Sequence, residues 1–229
     1  MKTKRIEPIG YVKSPFCEKF GIPRQANRVP SIKGSIIFYP PYSDPQAFKM
    51  LEGYSHLWII FGFNKVGDSK WKSTVRPPRL GGNKRVGVFA TRSPFRPNGL
   101  GLSLVKIDKI LTDCGGVIID VLGLDLLDGT PVYDIKPYLP ESDCAKDAQG
   151  GFADQFIDYK LNVNISNELL GQIPSQDREP IIECLRQDVR PSYQEDEDRI
   201  YGFIYNDTNV KFKVKSFELT IVEVENIKK

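Results

Sequence analysis

Residues 102–124 read LSLVKIDKILTDCGGVIIDVLGL, two runs of aliphatic and β-branched side chains, Leu102–Leu111 and Val117–Leu124, parted by an Asp/Cys/Gly/Gly turn signal. Such runs read as strands, because branched side chains suit a pleated surface and glycine punctuates the chain between them. The pattern repeats upstream at Ile6–Val12, Ser35–Tyr39, His56–Phe63 and Val86–Thr91. Before residue 140 only Asp44–Leu51, DPQAFKML, reads as a helix, with an Asp N-cap, Pro at the first helical position and its apolar residues on one face. Strands broken by Gly/Pro loops, without regularly spaced crossover helices, predict a mainly β fold built on an antiparallel β-barrel. We assign residues 1–145 to this barrel.

Past Pro140 the chain turns small and polar through ESDCAKDAQGGFADQ, so residues 146–159 read as a linker or long loop. Residues 160–229 then form a smaller α+β unit: strands at Lys160–Ile165, Ile200–Tyr205, Val210–Val214 and Phe217–Val224, and a helix over Arg178–Arg190 with Ile181, Ile182, Leu185 and Val189 at helical spacing. The acidic run Gln194–Arg199 reads as a solvated turn.

The 229 residues carry a net charge of +3, but the segment Arg76–Ser103, RPPRLGGNKRVGVFATRSPFRPNGLGLS, holds six cationic side chains and no Asp or Glu. The remainder of the chain therefore sums to −3, and the positive charge is concentrated. Four prolines and five glycines in the same block fix its loops. Arginine offers a planar fork of donors, so Arg76, Arg79, Arg85, Arg92 and Arg96 on such loops suit phosphates or other anions. The alternative is a loop-rich surface paired with carboxylates elsewhere. Gly99 and Gly101, where the chain enters the Leu102 strand, let backbone amides approach a ligand closely. The segment has neither P-loop nor dinucleotide-fingerprint spacing.

Cys17, Cys114, Cys144 and Cys184 form no C-x-x-C pair and read as reduced thiols. With His56 the only histidine, a His-rich metal centre is excluded, and no metal is expected. The start MKTKRIEPIG has no apolar stretch after its charges, and no run approaches membrane-span length, so the expected location is cytoplasmic, without a membrane partner.

A second constellation, LGLDLLDGTPVYDIKPYLP from Leu122 to Pro140, sets Asp125, Asp128 and Asp134 beside Tyr133, Lys136 and Tyr138. Asp128 with Gly129 makes either an ordinary turn or a ligand contact. These carboxylates either hold a ligand's hydroxyl and amino groups or aim Arg92 and Arg96. Trp58 and Phe61 read as core, His56 as structural, and Asn64, at a strand end, as a contact to a barrel-mouth ligand.

Several long motifs stand in the order of a known family. GVFATRSPFRPNGLGLS and LDLLDGTPVYDIKPYLP, supported by IEPIGYVKSPFCEKFGIPRQ, GYSHLWIIFGF and VRPPRLGGN, resemble the TsaA-like family of TrmO-type tRNA N6-methyltransferases, and DVRPSY at Asp188–Tyr193 resembles a motif of the bacterial C-terminal domain. The resemblance implies an S-adenosylmethionine-dependent enzyme that works as a homodimer and methylates N6 of threonylcarbamoyl-adenosine, next to the anticodon of certain tRNAs. Carried over by motif, the cofactor contacts Gln25, Ala26, Asn27, Asn64, Arg92, Leu102, Leu124, Asp125, Leu126 and Leu127. Arg76, Arg79 and Arg96 face tRNA and its charged base, and the C-terminal unit adds a tRNA contact. Family members carry His where this chain has Asn64; Asn replaces His if the position only offers a hydrogen bond, but not if it accepts a proton. Asp125 and Asp128 are the candidate proton acceptors. Two rival readings stay open: a tRNA-binding module without transfer activity, and a small-molecule phosphoester enzyme using the same arginines.

Overall fold

The structure is a computed structural model that describes residues 3, 5–65, 71–113, 115–156, 159–190 and 196–227. Eight strands come first: β1 (Gly10–Lys13), β2 (Lys33–Phe38), β3 (His56–Gly62), β4 (Thr74–Val75), β5 (Val86–Gly87), β6 (Leu100–Asp113), β7 (Gly116–Leu122) and β8 (Pro131–Pro137). Six of them close an antiparallel barrel in the order β1-β2-β7-β6-β3-β8, while β4 and β5 form a separate two-stranded arm. Residues 102–124 thus supply the central pair, β6 against β7, with Ile110 opposite Ile119 and Thr112 opposite Val117. Period-2 alternation fills the barrel: Leu57, Ile59 and Phe61 of β3 meet Ile36 and Phe38 of β2, Val105 of β6 and Val117, Ile119 and Val121 of β7, all buried.

Several sequence expectations need correcting. Asp44–Leu51 is no α-helix: Asp44 does cap it, accepting from the Gln46 amide at 2.9 Å, but the chain makes two 3-10 turns, Pro45–Phe48 and Leu51–Gly53, parted by Met50 at φ 71°. Val86–Thr91 is a two-residue strand that gives way to a 3-10 turn at Val88–Ala90. Trp58 is only half-buried, its indole N–H donating 3.0 Å to Asp143 Oδ2. Strand β8 lay unread inside the acidic constellation.

The C-terminal unit holds β9 (Asn162–Asn164), β10 (Tyr201–Tyr205), β11 (Thr208–Lys215) and β12 (Glu218–Asn226) in the order β10-β11-β12-β9, with β9 parallel to β12. Its helices of more than one turn are α1 (Asn167–Gln172) and α2 (Ser175–Arg186). Helix α2 stops four residues before the expected end, because Asp188 takes the left-handed conformation (φ 51°) that terminates helices. Part of the acidic run, residues 194–195, lies outside the described residues, as does Cys114. Among the described residues no helix is long and apolar enough to cross a membrane.

The two units share one core. The loop between β1 and β2, residues 14–32, lies on the C-terminal sheet: Phe16, fully buried, meets the Tyr205 ring edge-on at 5.5 Å, and the Asn206 amide donates to Pro15 O at 2.9 Å. Gly21 packs so closely on Phe203 that a Cβ there would lie 2.1 Å from the ring.

Candidate functional site

A cleft of about 570 Å³ opens where β3 ends and β6 begins. The register explains its floor. Phe61 stands opposite Gly101 across the ladder, and its ring fills the space a Gly101 side chain would need, with a built Cβ only 2.2 Å away. Phe63 meets Phe61 edge-on at 5.0 Å, and Leu126 and Leu127 add apolar surface.

Three loops bring the charged groups of the rim with Gln25 and Thr91, beside Asn64 at the end of β3 and Ser103 on β6. The first follows β1 and supplies Arg24 and Gln25; the second supplies Thr91, Arg92 and Arg96; the third, after β7, supplies Asp125. The second loop is held rigid by its own short side chains. Thr91 Oγ1 donates to Val88 O at 2.8 Å and accepts from the Ser93 amide at 3.2 Å, while Ser93 Oγ accepts from the Phe95 amide at 3.3 Å. Arg96 donates to Thr91 O at 2.6 Å, so part of its fork fixes the loop instead of facing solvent.

Arg92 Nη1 donates to Gln25 Oε1, and the guanidinium also stabilises the Asp125 carboxylate. Asp125 accepts from the Ser103 hydroxyl at 2.7 Å. Burial holds its pKa above the ordinary carboxylate range; the Ser103 hydroxyl, backbone amides including that of Ala26, and the Arg92 charge oppose that rise without cancelling it. Ser103 could have been found from sequence as a polar residue at an inward, alternating position of β6, between Gly101 and Val105.

The cleft therefore gathers Gln25, Asn64, Arg92, Arg96, Leu102, Asp125, Leu126 and Leu127 from the expected site. It leaves others out. Leu124 is fully buried in the barrel core. Ala26 and Asn27 stand behind the lining, with the Asn27 amide on Gly123 O at 2.9 Å and its side chain on Leu104 O at 2.9 Å. Asp128 does not line the cleft; its carboxylate accepts from the Ser14 amide at 2.9 Å, and Gly129 after it takes φ 73°. Asp134 pairs with Lys136 at 3.4 Å and aims no arginine. Arg76 is exposed outside the cleft, and the Arg79 side chain lies outside the described residues. Both polar ends of Asn64 face the 127–130 turn: its Nδ2 donates to Asp128 O at 3.0 Å and its Oδ1 accepts from Thr130 at 3.3 Å. Arg24, in the quoted motif but not assigned to the site, is the main residue that sequence reading missed.

Among the described residues the cationic block makes no salt bridge; Arg92 is drawn to the Asp125 carboxylate and Arg96 is bonded to Thr91 O, while the exposed Arg76 and Arg85 keep their charge available for an anion. Fold and cleft define a class: a β-barrel enzyme with an arginine-rimmed, apolar-floored site, distinct from the doubly wound nucleotide-binding folds.

Two family descriptions match, the tRNA-methyltransferase O N-terminal domain over residues 11–144 and the TrmO C-terminal domain over 158–227. The chain is 40% identical over 233 residues to the tRNA (adenine(37)-N6)-methyltransferase of Escherichia coli, covering 98% of this chain and 99% of that protein. It is 47% identical to the Eikenella corrodens protein of the same name, over 71% of this chain and 92% of that one. The crystal structure of TrmO from Pseudomonas aeruginosa superposes with a TM-score of 0.78 at 33% identity, covering 98% of this chain and all of the other. The chain belongs to the tRNA-methyltransferase O family.

Proposed function

We propose that this methyltransferase uses S-adenosylmethionine, held in the cleft, to methylate N6 of threonylcarbamoyl-adenosine beside the anticodon of tRNA. The observation that carries the reading is the half-buried Asp125 carboxylate, bonded to the buried Ser103 hydroxyl and drawn to Arg92, over an apolar, aromatic floor. A cleft of this size suits a nucleoside joined to an amino acid. Asp125 suits hydroxyl or ammonium donors, Arg92 a carboxylate, and Phe61 and Phe63 a flat base.

When bound, the cofactor supplies an activated methyl group on a sulfonium. The chain's own part is positioning and proton handling. Holding donor and acceptor in line lowers the barrier by about 7–11 kcal/mol. N6 loses one proton as it gains the methyl; in this reading Asp125, with its raised proton affinity, or the substrate's own threonyl carboxylate receives it. Asn64, engaged with the 127–130 turn at both ends, supports a holding role.

Support for tRNA comes from the exposed Arg76 and Arg85, which make no salt bridge, and from Phe89, 71% exposed with the Arg96 guanidinium 5.8 Å from its ring, a surface on which an unstacked base can lie. In this reading residues 1–145 perform the chemistry, residues 160–229 add a tRNA contact, and the enzyme works in the cytoplasm as a homodimer, which sedimentation of the purified chain tests. The central experiment combines calorimetry with S-adenosylmethionine and transfer of labelled methyl to two tRNA pools, with and without the threonylcarbamoyl group. Incorporation into the modified pool alone is expected, with mass spectrometry locating the methyl on N6. Equal labelling of both pools would refute the substrate assignment.

A further inference from the structure

We propose that the C-terminal unit completes the cleft, with the Asp188–Arg190 ion pair serving as a positioning device that acts through Arg24 on the Gln25–Arg92 contact. The proposal rests on the cofactor reading above. The cleft wall that carries Arg24 and Gln25 belongs to the β1–β2 loop, which contains no strand or helix of its own. The barrel pins both ends of the loop, through Ser14 on Asp128 and Asn27 on Gly123, and the C-terminal unit holds it from the other side. Asn206 holds Pro15, Phe203 receives Gly21, and the Ser31 hydroxyl bonds the Glu183 carboxylate on α2.

The fixing nearest the cleft is Arg24, whose Nη2 donates to Arg190 O at 3.1 Å and to Asp188 O at 3.5 Å. Two carbonyls converge on one guanidinium because the turn after α2 is locked. Asp188 is buried and left-handed, and its carboxylate accepts from Arg190 Nε at 2.9 Å, Arg190 Nη2 at 3.0 Å and Tyr159 OH at 2.9 Å. A buried bidentate pair is a rigid object, and its rigidity sets where the adjacent carbonyls point. One residue on from Arg24, Gln25 accepts from Arg92, and Arg92 faces Asp125. The path from Asp188 to the cleft is therefore a continuous set of contacts, with Asp188 touching no ligand.

The test is a double-mutant cycle on the full-length chain, with the S-adenosylmethionine Kd from calorimetry and a melting curve for each variant. Arg24→Ala and Asp188→Asn are each expected to weaken binding about tenfold, and the double variant to lose little more than either single, since both break the same path. Turnover of Asp188→Asn at saturating cofactor stays near that of the wild type, and Arg24→Lys, which still reaches one carbonyl, recovers part of the affinity that Arg24→Ala loses. An unchanged Kd in Asp188→Asn, or losses that multiply to about a hundredfold in the double variant, would overturn the proposal. If Asp188→Asn melts early, Tyr159→Phe carries the test: a loss of about threefold supports the device and an unchanged Kd refutes it. Absence of binding by the wild type would instead bring down the cofactor reading.

Discussion

At the scale of single residues, the site depends on one carboxylate and one guanidinium with different exposures. Arg92 is exposed, so Arg92→Ala should weaken cofactor binding or turnover while leaving the unfolding free energy within about 0.5 kcal/mol of the wild type, as calorimetry and urea titration would show. Asp125 is the pH-dependent group. Burial raises its folded pKa, so the charged form is disfavoured, and ionising it costs stability at pH above that folded value. The cost lifts as pH falls toward the ordinary carboxylate range. If Asp125 receives the N6 proton, it must be ionised, and kcat/KM should fall as pH drops through its raised pKa. The Asp125→Asn variant should lose that acid limb along with most of its turnover; a pH–rate profile of unchanged shape would exclude Asp125 as the base. Sequence placed Asp125 and Asp128 on equal footing. The difference between them is geometric: a three-residue step takes one carboxylate to the buried Ser103 hydroxyl and the other to the surface Ser14 amide.

At the scale of elements, what the sequence conveyed was periodicity. Strands β2, β3, β6 and β7 were legible because inward aliphatics alternate along them. Strand β8 was not, because it is bounded by prolines and only Val132 of its seven residues is fully buried, so the alternating signal is lost. The Val86–Thr91 run failed for the opposite reason: its residues have strand propensity, but Arg96 and Thr91 capture the carbonyls and bend the backbone into a 3-10 turn. The cleft loops were legible as loops but not as partners, since contacts such as Arg24 with Arg190 join residues 166 apart. Gly123 is the junction where such a contact meets a strand end. It has φ 75°, and a Cβ there would lie 2.3 Å from Asn27 Oδ1. Gly123→Ala should therefore destabilise the protein by about 1–3 kcal/mol and weaken cofactor binding as well, because the displaced Asn27 carries Gln25 and Ala26 with it. Urea unfolding and calorimetry on the same preparation would check both effects.

At the scale of the whole molecule, the barrel and the C-terminal sheet meet at Phe16 and Tyr205 within a continuous core. Phe16→Ala should cost about 3–5 kcal/mol. A shared core also predicts one cooperative unfolding transition, and the appearance of two in calorimetry would show that the units unfold separately. The concentrated charge makes a further prediction for RNA. Affinity for tRNA should fall steeply with salt, and Arg76→Ala should reduce the slope of log K against log[salt] by about one contact's worth without changing which tRNA is preferred. The ladder that seals the barrel joins Gly10 and Tyr11 of β1 to Val132 and Pro131 of β8, so the first strand leaves the ribosome more than a hundred residues before its partner. Until β8 emerges, β1 and β3 each keep an open edge. A nascent chain stalled before residue 131 is therefore not a closed barrel, and its edges stay unpaired until synthesis passes β8.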